Sequence, residues 1–314
     1  MKAAFDQSLL PLDAIFLTCA TGEDRCFGVV ERLDEWRPDA TILCTYSGTN
    51  ARRDNQKKRI TAALTARHLT YADVECLEND PATCLRLLLP KLRLLLESPH
   101  CNLVIDMSVF RKRHLLMLWR WLDDVGIWDR VTVVYTEPED YVVSEFIPLT
   151  FGLESLQQIP GFPGCADCSR PVHLVLFLGY EGDQALAVYE QIQPMHTTLL
   201  IPSPAYRASW EGRTEAFNRD LLSVVGDEPR YGVDAIDPEA TTTLLTKLLG
   251  HPEKRGPNAV TICPLGTKPQ TLGVFEFLRK VNDPPAVIYA NPLRHNKSFS
   301  SHGVGKSWIL KATR

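Results

Sequence analysis

Segments near the start of this chain recur, in the same order and with similar residues, roughly 155 residues later. Residues 20–33, A-T-G-E-D-R-C-F-G-V-V-E-R-L, run parallel to residues 179–192, G-Y-E-G-D-Q-A-L-A-V-Y-E-Q-I. Asp24 falls on Asp183, Val29 on Val188 and Glu31 on Glu190. Further along, Asp80-Pro81 falls on Asp237-Pro238, Asn102 on Asn258, Lys112 on Lys268, and Tyr135-Thr-Glu-Pro138 on Tyr289-Ala-Asn-Pro292. The spacing drifts by a few residues, as loops of unequal length would make it. Two copies of one fold usually pack around a pseudo-two-fold axis, so the repeat predicts a pocket there that sees two similar loop sets.

Each copy alternates apolar runs with helical periodicity. In the first, Ala14–Cys19, Thr41–Tyr46, Ala72–Cys76, Asn102–Asp106 and Arg130–Tyr135 are expected strands. Helices are expected over Arg25–Leu33, Asn55–His68, Asp80 to about Leu96, and His114–Val125. In the second copy, strands are expected at His173–Leu178, Thr197–Ile201, Gly232–Ile236, Ala259–Cys263 and Ala286–Tyr289. Its helices are expected at Gln184–Ile192, Arg213–Val224, Pro238–Leu249 and Pro269–Val281. Continuously apolar strands fit burial on both faces. Their alternation with helices predicts an α/β fold of two tandem Rossmann-like, doubly wound parallel sheets related by internal duplication. The expected boundaries are 1–138 for the first domain, 139–171 for a Pro/Gly-rich linker, 172–292 for the second domain and 293–314 for a tail, with Ser307–Leu310 as a candidate edge strand.

A chain of 314 residues, 45% hydrophobic and 23% charged, has the composition of a globular protein. A net charge of -4 disfavours broad nucleic-acid binding while permitting a local basic pocket. The N-terminus lacks the apolar stretch of a signal peptide, and no apolar run reaches membrane-spanning length. The nine cysteines sit mostly in apolar runs and are expected to be reduced core residues of a cytoplasmic protein.

In an open parallel sheet, ligands bind beyond the carboxyl ends of the strands where the strand order reverses. With the order 3-2-1-4-5 that point lies between strands one and four, where the repeat places its most polar loops. The first copy offers Gly22, Glu23, Asp24 and Arg25, then Ser108, Arg111 and Lys112. The second offers Glu181, Gly182 and Asp183, then Gly266, Thr267, Lys268 and Gln270, with Arg207 after strand two. Glycines let backbone approach a ligand, helix N-termini attract phosphate, and lysines add point charge. The carboxylates of Glu23, Asp24, Glu181 and Asp183 would repel phosphate. They suit ribose hydroxyls, a metal or helix caps, with capping favoured for Asp24 and Asp183.

The run Pro264-Leu-Gly-Thr-Lys-Pro-Gln270 after strand four resembles the Gly-Thr-Lys-type loop of CRISPR-associated Rossmann-fold sensor domains. The first copy has Met107-Ser-Val-Phe-Arg-Lys112 there, keeping the lysine without the glycine. The resemblance implies a cyclic oligonucleotide ligand, chiefly cyclic oligoadenylate, bound by the loops after strands one and four, and a role in prokaryotic antiviral defence. It implies action through a partner protein encoded nearby. The alternatives are a metal-independent ring nuclease, with Lys268 stabilising charge, and a structural adaptor of a defence complex. No cofactor, metal or catalytic residue is assigned.

Three other features carry less. Arg52, Arg53, Lys57, Lys58 and Arg59 form the densest basic stretch, with Arg207 and Arg213 in a similar place in the second copy, and a solvated helix face is favoured over contact with a polyanion. Cys165-Ala-Asp-Cys168 is a lone C-x-x-C, short of the four ligands of a structural zinc site. Gly303-Val-Gly-Lys-Ser307 ends like a phosphate loop but lacks the earlier glycine, since Ser300 occupies that position.

Overall fold

Ala14–Ala20 is buried at every position, which only an interior strand covered on both faces permits. It forms β2 of a seven-stranded sheet. The structure is a computed structural model that describes residues 2–141, 150–165, 167, 169–295 and 301–311. The chain divides into two compact units, Met1–Val142 with Ser301–Arg314, and Val143–Ser300.

The first unit contains β1 (Ala3–Ala4), β2 (Ala14–Ala20), β3 (Ala40–Tyr46), β4 (Tyr71–Cys76), β5 (Asn102–Asp106), β6 (Val131–Thr136) and β7 (Asp140–Tyr141). Its helices are α1 (Ala51–Ala66), α2 (Pro81–Leu88), α3 (Arg93–Glu97) and α4 (Lys112–Asp124). The second unit contains β8 (Thr150–Gln158), β9 (Val172–Phe177), β10 (His196–Pro202), β11 (Arg230–Val233), β12 (Ala259–Pro264) and β13 (Ala286–His295). Its helices are α5 (Gly182–Ile192), α6 (Arg213–Phe217), α7 (Arg219–Val225), α8 (Pro238–Leu249), α9 (Pro252–Arg255) and α10 (Lys268–Leu278). The chain then returns to the first unit with β14 (Ser301–His302) and β15 (Ser307–Lys311).

Both units are Rossmann-like. The first sheet runs β4-β3-β2-β5-β6 in parallel and the second β11-β10-β9-β12-β13, the same 3-2-1-4-5 order. Each continues with one antiparallel strand beyond strand five. In the first unit this is β15, with β1 paired outside it; in the second it is β8. The added strands come from opposite directions along the chain, one following and one preceding the parallel core.

The termini of these elements follow from local chemistry. Asp80 caps α2 by accepting from the Thr83 amide at 2.9 Å, and Asp237 caps α8 by accepting from the Glu239 amide at 3.0 Å, each with proline in the first turn. The expected long helix from Asp80 to Leu96 is broken into α2, a 3-10 turn at Leu89–Lys91 and α3. Pro90 has no amide hydrogen to continue the ladder. The expected helix Arg25–Leu33 is two 3-10 turns, Asp24–Phe27 and Val30–Arg32. Here Gly28 lies so close to β6 that a Cβ on it would stand 2.5 Å from Thr136 Cγ2. The expected helix Arg213–Val224 is interrupted at Asn218, whose side chain bonds the Thr214 carbonyl at 2.6 Å.

The segments read as linker and tail carry sheet structure. Residues 150–158 are β8, and Phe162, from the Pro/Gly-rich stretch, is buried against Phe275 at 6.3 Å between ring centroids. β13 runs past its expected end at Tyr289 to His295 because Pro292 sits at a bulge in the pairing with β8, where the ladder needs no donor from it. Ser307–Lys311 adds to β6 as β15.

The cysteines also depart from expectation at one place. Cys76, at the end of β4, and Cys84, in α2, form a disulfide with their Cα atoms 4.8 Å apart. Cys19, Cys26, Cys44, Cys101 and Cys263 are free and buried; burial pushes the Cys26 thiol up to about 12. Cys165 is half-buried, and Cys168 lies outside the described residues. Among the described residues, no helix is long and apolar enough to cross a membrane.

Candidate functional site

In each unit the loops after strands one and four leave the sheet at its carboxyl edge, and the two edges are built differently. On the first, the loop after β2 carries Gly22, Glu23, Asp24 and Arg25. Gly22 is in ordinary contact with Arg52 and Asn50, with room for a Cβ. Arg25 is buried, donating from Nε and Nη2 to the Glu23 carboxylate at 2.9 and 2.8 Å and from Nη1 to the Tyr135 hydroxyl at 3.0 Å. Glu23 also accepts from the Ser301 hydroxyl. Asp24, expected to cap a helix, instead accepts from the Gly303 amide at 3.0 Å and from Gln56 Nε2 at 2.6 Å.

The acidic residues of this loop therefore fasten a strap formed by residues 301–306. The strap is held further by Arg32 Nη2 donating to the Gly305 carbonyl at 3.1 Å and by the Gly305 amide donating to the Glu137 carbonyl at 2.9 Å. A Cβ on Gly305 would lie 2.8 Å from the Pro138 carbonyl oxygen, so the phosphate-loop-like glycines serve close backbone packing.

The loop after β5 is equally committed. Ser108, expected to donate to a ligand, is fully buried: its hydroxyl donates to Asp106 and accepts from the Thr136 amide at 2.8 Å. Asp106 also accepts from the Ser108 amide at 3.1 Å and the Thr18 hydroxyl at 3.3 Å. Burial lifts its pKa to about 6 against these bonds. Arg111 pairs with Glu78, and its amide donates to the Tyr46 hydroxyl at 2.9 Å. Arg113 donates to the Glu78 carbonyl and to Asn79 Oδ1. His114 holds the Leu77 carbonyl through Nε2 at 3.1 Å, and burial pushes its pKa down to about 4. These side chains staple the turn after β4 to the start of α4. Lys112 is the first residue of that helix and is half-buried.

On the second unit's edge, bonds link the loops after β10, β11 and β12 to one another, and Asn218 holds the loop after β9. The loop after β9 is held by Asn218 Nδ2, which donates to the Gly179 carbonyl at 2.8 Å. Gly182 opens α5, where a Cβ would lie 1.8 Å from the Phe217 carbonyl oxygen; its glycine serves helix packing rather than ligand approach. Glu181 is the cap residue, and Asp183, expected to cap, is the second residue inside the helix. The loop after β10 joins the one after β11, because the Ala235 amide donates to the Pro204 carbonyl at 3.1 Å. Ala235 in turn accepts from Thr267 Oγ1 at 2.6 Å, which brings in the loop after β12.

The Gly-Thr-Lys run is a helix start. Thr267 Oγ1 accepts from the Gln270 amide at 3.2 Å and Gln270 Oε1 accepts from the Thr267 amide at 2.9 Å, a capping box with Pro269 in the first turn. Gln270 is buried, donating to the Val233 carbonyl at 3.1 Å. Gly266 leaves room for it: a Cβ there would lie 2.3 Å from Gln270 Oε1. Lys268 is the first residue of α10 and is half-buried.

Sequence reasoning missed an aromatic and arginine cluster in the loop after β10. Trp210 is buried, with the Arg207 guanidinium 5.5 Å and the Arg213 guanidinium 5.9 Å from its ring, and Tyr206 edge-on at 6.2 Å. Tyr180, after β9, stacks at 5.4 Å on Phe217, and burial pushes its pKa up to about 12. The signal was in the spacing, since Arg207 and Arg213 flank Trp210 symmetrically in sequence. In the basic stretch of α1, Arg53 donates to the Tyr46 and Gly48 carbonyls, Lys57 pairs with Asp73 at 3.0 Å, and Arg59 lies 4.6 Å over Phe27.

The chain is similar in fold to a solved Type III CRISPR defence DNA nuclease activated by cyclic oligoadenylate. The TM-score is 0.53 at 11% identity, over 92% of this chain and 68% of that one. A second similarity, to the cytoplasmic domain of a prokaryotic cation chloride cotransporter, has a TM-score of 0.27 at 10% identity, over 90% of this chain and 96% of that one. No protein-family model matches the chain, and no curated protein does.

Proposed function

We propose that this protein is a sensor of a nucleotide-type anion in antiviral defence, and that the ligand binds at the carboxyl edge of the second sheet. The observation that carries this reading is the set of loops after β10, β11 and β12 joined through Ala235, beside the loop after β9 that Asn218 holds, and bearing Arg207, Arg213 and Lys268. It lies where the strand order reverses. The fold shared with a cyclic-oligoadenylate-activated nuclease favours cyclic oligonucleotides as the ligand class. Lys268 and the N-terminus of α10 would meet phosphate, and Glu181 would accept from a ribose hydroxyl.

Sensing requires that the ligand stabilise one conformation over another, and loops bonded to one another give it several segments to bias at once. The signal would pass to a partner protein. Two measurements test the reading: mass spectrometry of small molecules released from the purified full chain, and calorimetric titration with cyclic oligoadenylate. A bound nucleotide is expected, with Lys268→Ala weakening binding by about tenfold and leaving the fold intact. Absence of both a released nucleotide and a binding heat would overturn it.

A further inference from the structure

The sequence directs attention to Gly266–Gln270 as the anion-binding element, yet most of its polar groups are already used. Thr267 and Gln270 bond each other and the chain around Ala235 and Val233. Gly266 holds space for Gln270. The second unit's edge carries a different concentration of charge, in the loop after β10. We infer that Arg207 and Arg213, both set against the indole of Trp210, form a phosphate clamp; this inference rests on the ligand site proposed above.

Trp210 is only 3% exposed, so it is an anchor for the arginines rather than a stacking surface for a base. Two guanidinium groups near one ring repel each other, and the attraction of each for the ring offsets part of that cost. The arrangement is fixed by backbone. The Trp210 amide donates to the Arg207 carbonyl at 2.9 Å, and the Ala205 amide donates to the Glu211 carboxylate at 2.7 Å. That bond also engages the acid nearest to Trp210 in sequence. Beside the cluster, burial raises the Tyr180 pKa most, Arg213 lowers it, and Glu181 and Glu211 raise it further.

A guanidinium held on an aromatic face loses less side-chain freedom when an anion arrives. Its planar fork suits the paired oxygens of a phosphate. The Arg207 loop and the Lys268 loop meet at Ala235. They leave strands β10 and β12, which flank β9, so about 10 Å, two strand spacings, separates them across the sheet. A ligand with several phosphates can engage both, whereas a single phosphate engages one.

The test uses the full chain with two probes, cyclic oligoadenylate and inorganic tripolyphosphate, titrated at several salt concentrations. Arg207→Gln and Arg213→Gln should each weaken both probes by about tenfold and flatten the salt dependence. Arg207 is exposed, so its variant should fold as the parent does. If both variants bind within about twofold of the parent while Lys268→Ala weakens binding, the clamp is overturned and the site reading survives. If tripolyphosphate binds through the arginines while cyclic oligoadenylate does not bind, the clamp stands and the nucleotide reading falls. If the parent binds neither probe, both are overturned.

Discussion

The Gly303 amide donates to the Asp24 carboxylate at 3.0 Å, fastening the last part of the chain to the loop after its first long strand. With Ser301 on Glu23 and Arg32 on Gly305, this bond seats the strap on the first unit's carboxyl edge. It also gives the acidic residues of that loop a role other than ligand binding or helix capping.

Asp24→Ala removes the acceptor for both Gly303 and Gln56. The expected outcome is faster hydrogen exchange at residues 303 and 305, with exchange in β2 and β3 unchanged. Equal protection in parent and variant would show that the other bonds, Ser301 on Glu23 and Arg32 on Gly305 among them, hold the strap without Asp24.

Two buried groups act on the pH dependence of stability with opposite signs. His114 has its pKa lowered from 6.5 to about 4 by burial, so the stability it contributes is present above pH 6.5 and lost as pH falls toward 4. Asp106 has its pKa raised from 3.8 to about 6, also by burial, so its contribution is present below 3.8 and lost as pH rises through 6. Each amounts to about 3 kcal/mol, and they nearly cancel between pH 4 and 6. Relative to the parent, urea midpoints should therefore rise more steeply with pH across this window in Asp106→Asn and less steeply in His114→Gln. Profiles parallel to the parent's in both variants would refute the assignment.

Gly182→Ala places a methyl 1.8 Å from the Phe217 carbonyl oxygen, where only separation of two backbones can relieve it. We expect a loss of about 3 kcal/mol in thermal unfolding. Gly126→Ala, at φ +74° with open space around it, should lose about 1 kcal/mol from backbone strain alone. Equal losses would mean that α5 and the α6–α7 junction pack less closely than described.

Thr267→Ala removes the cap of α10 and the bond to Ala235. A cost of about 1–2 kcal/mol is expected. Hydrogen exchange should quicken at Gln270 and Thr271, whose amides sit in the first turn. Loss at the α10 start without any change in stability would separate the cap from the fold.

Most of the parallel core was legible in the sequence, because apolar runs such as Ala14–Cys19 and Ala259–Cys263 are long enough to declare burial without context. Asp80-Pro81 and Asp237-Pro238 declared helix starts for the same reason: the cap and the proline act within one turn. β8 and β15 were less legible. Their burial follows no regular alternation, and their pairing partners β13 and β6 lie more than a hundred residues away. Glycine in a polar loop reads as ligand access, yet Gly182 and Gly266 are required by Phe217 and Gln270. Arg25 and Ser108 likewise look available in the sequence and are buried in bonds to Tyr135 and Thr136.

What the sequence determined by itself was the kind of fold and the two edges where loops gather, since these follow from periodicity and from short-range caps. Only the tertiary structure decided how each edge is used. Asp24 and Glu23 hold a strap supplied by the far end of the chain, while Arg207 and Arg213 share one buried indole. A side chain's partner depends on where the backbone brings distant segments, and neither residue type nor spacing carries that information.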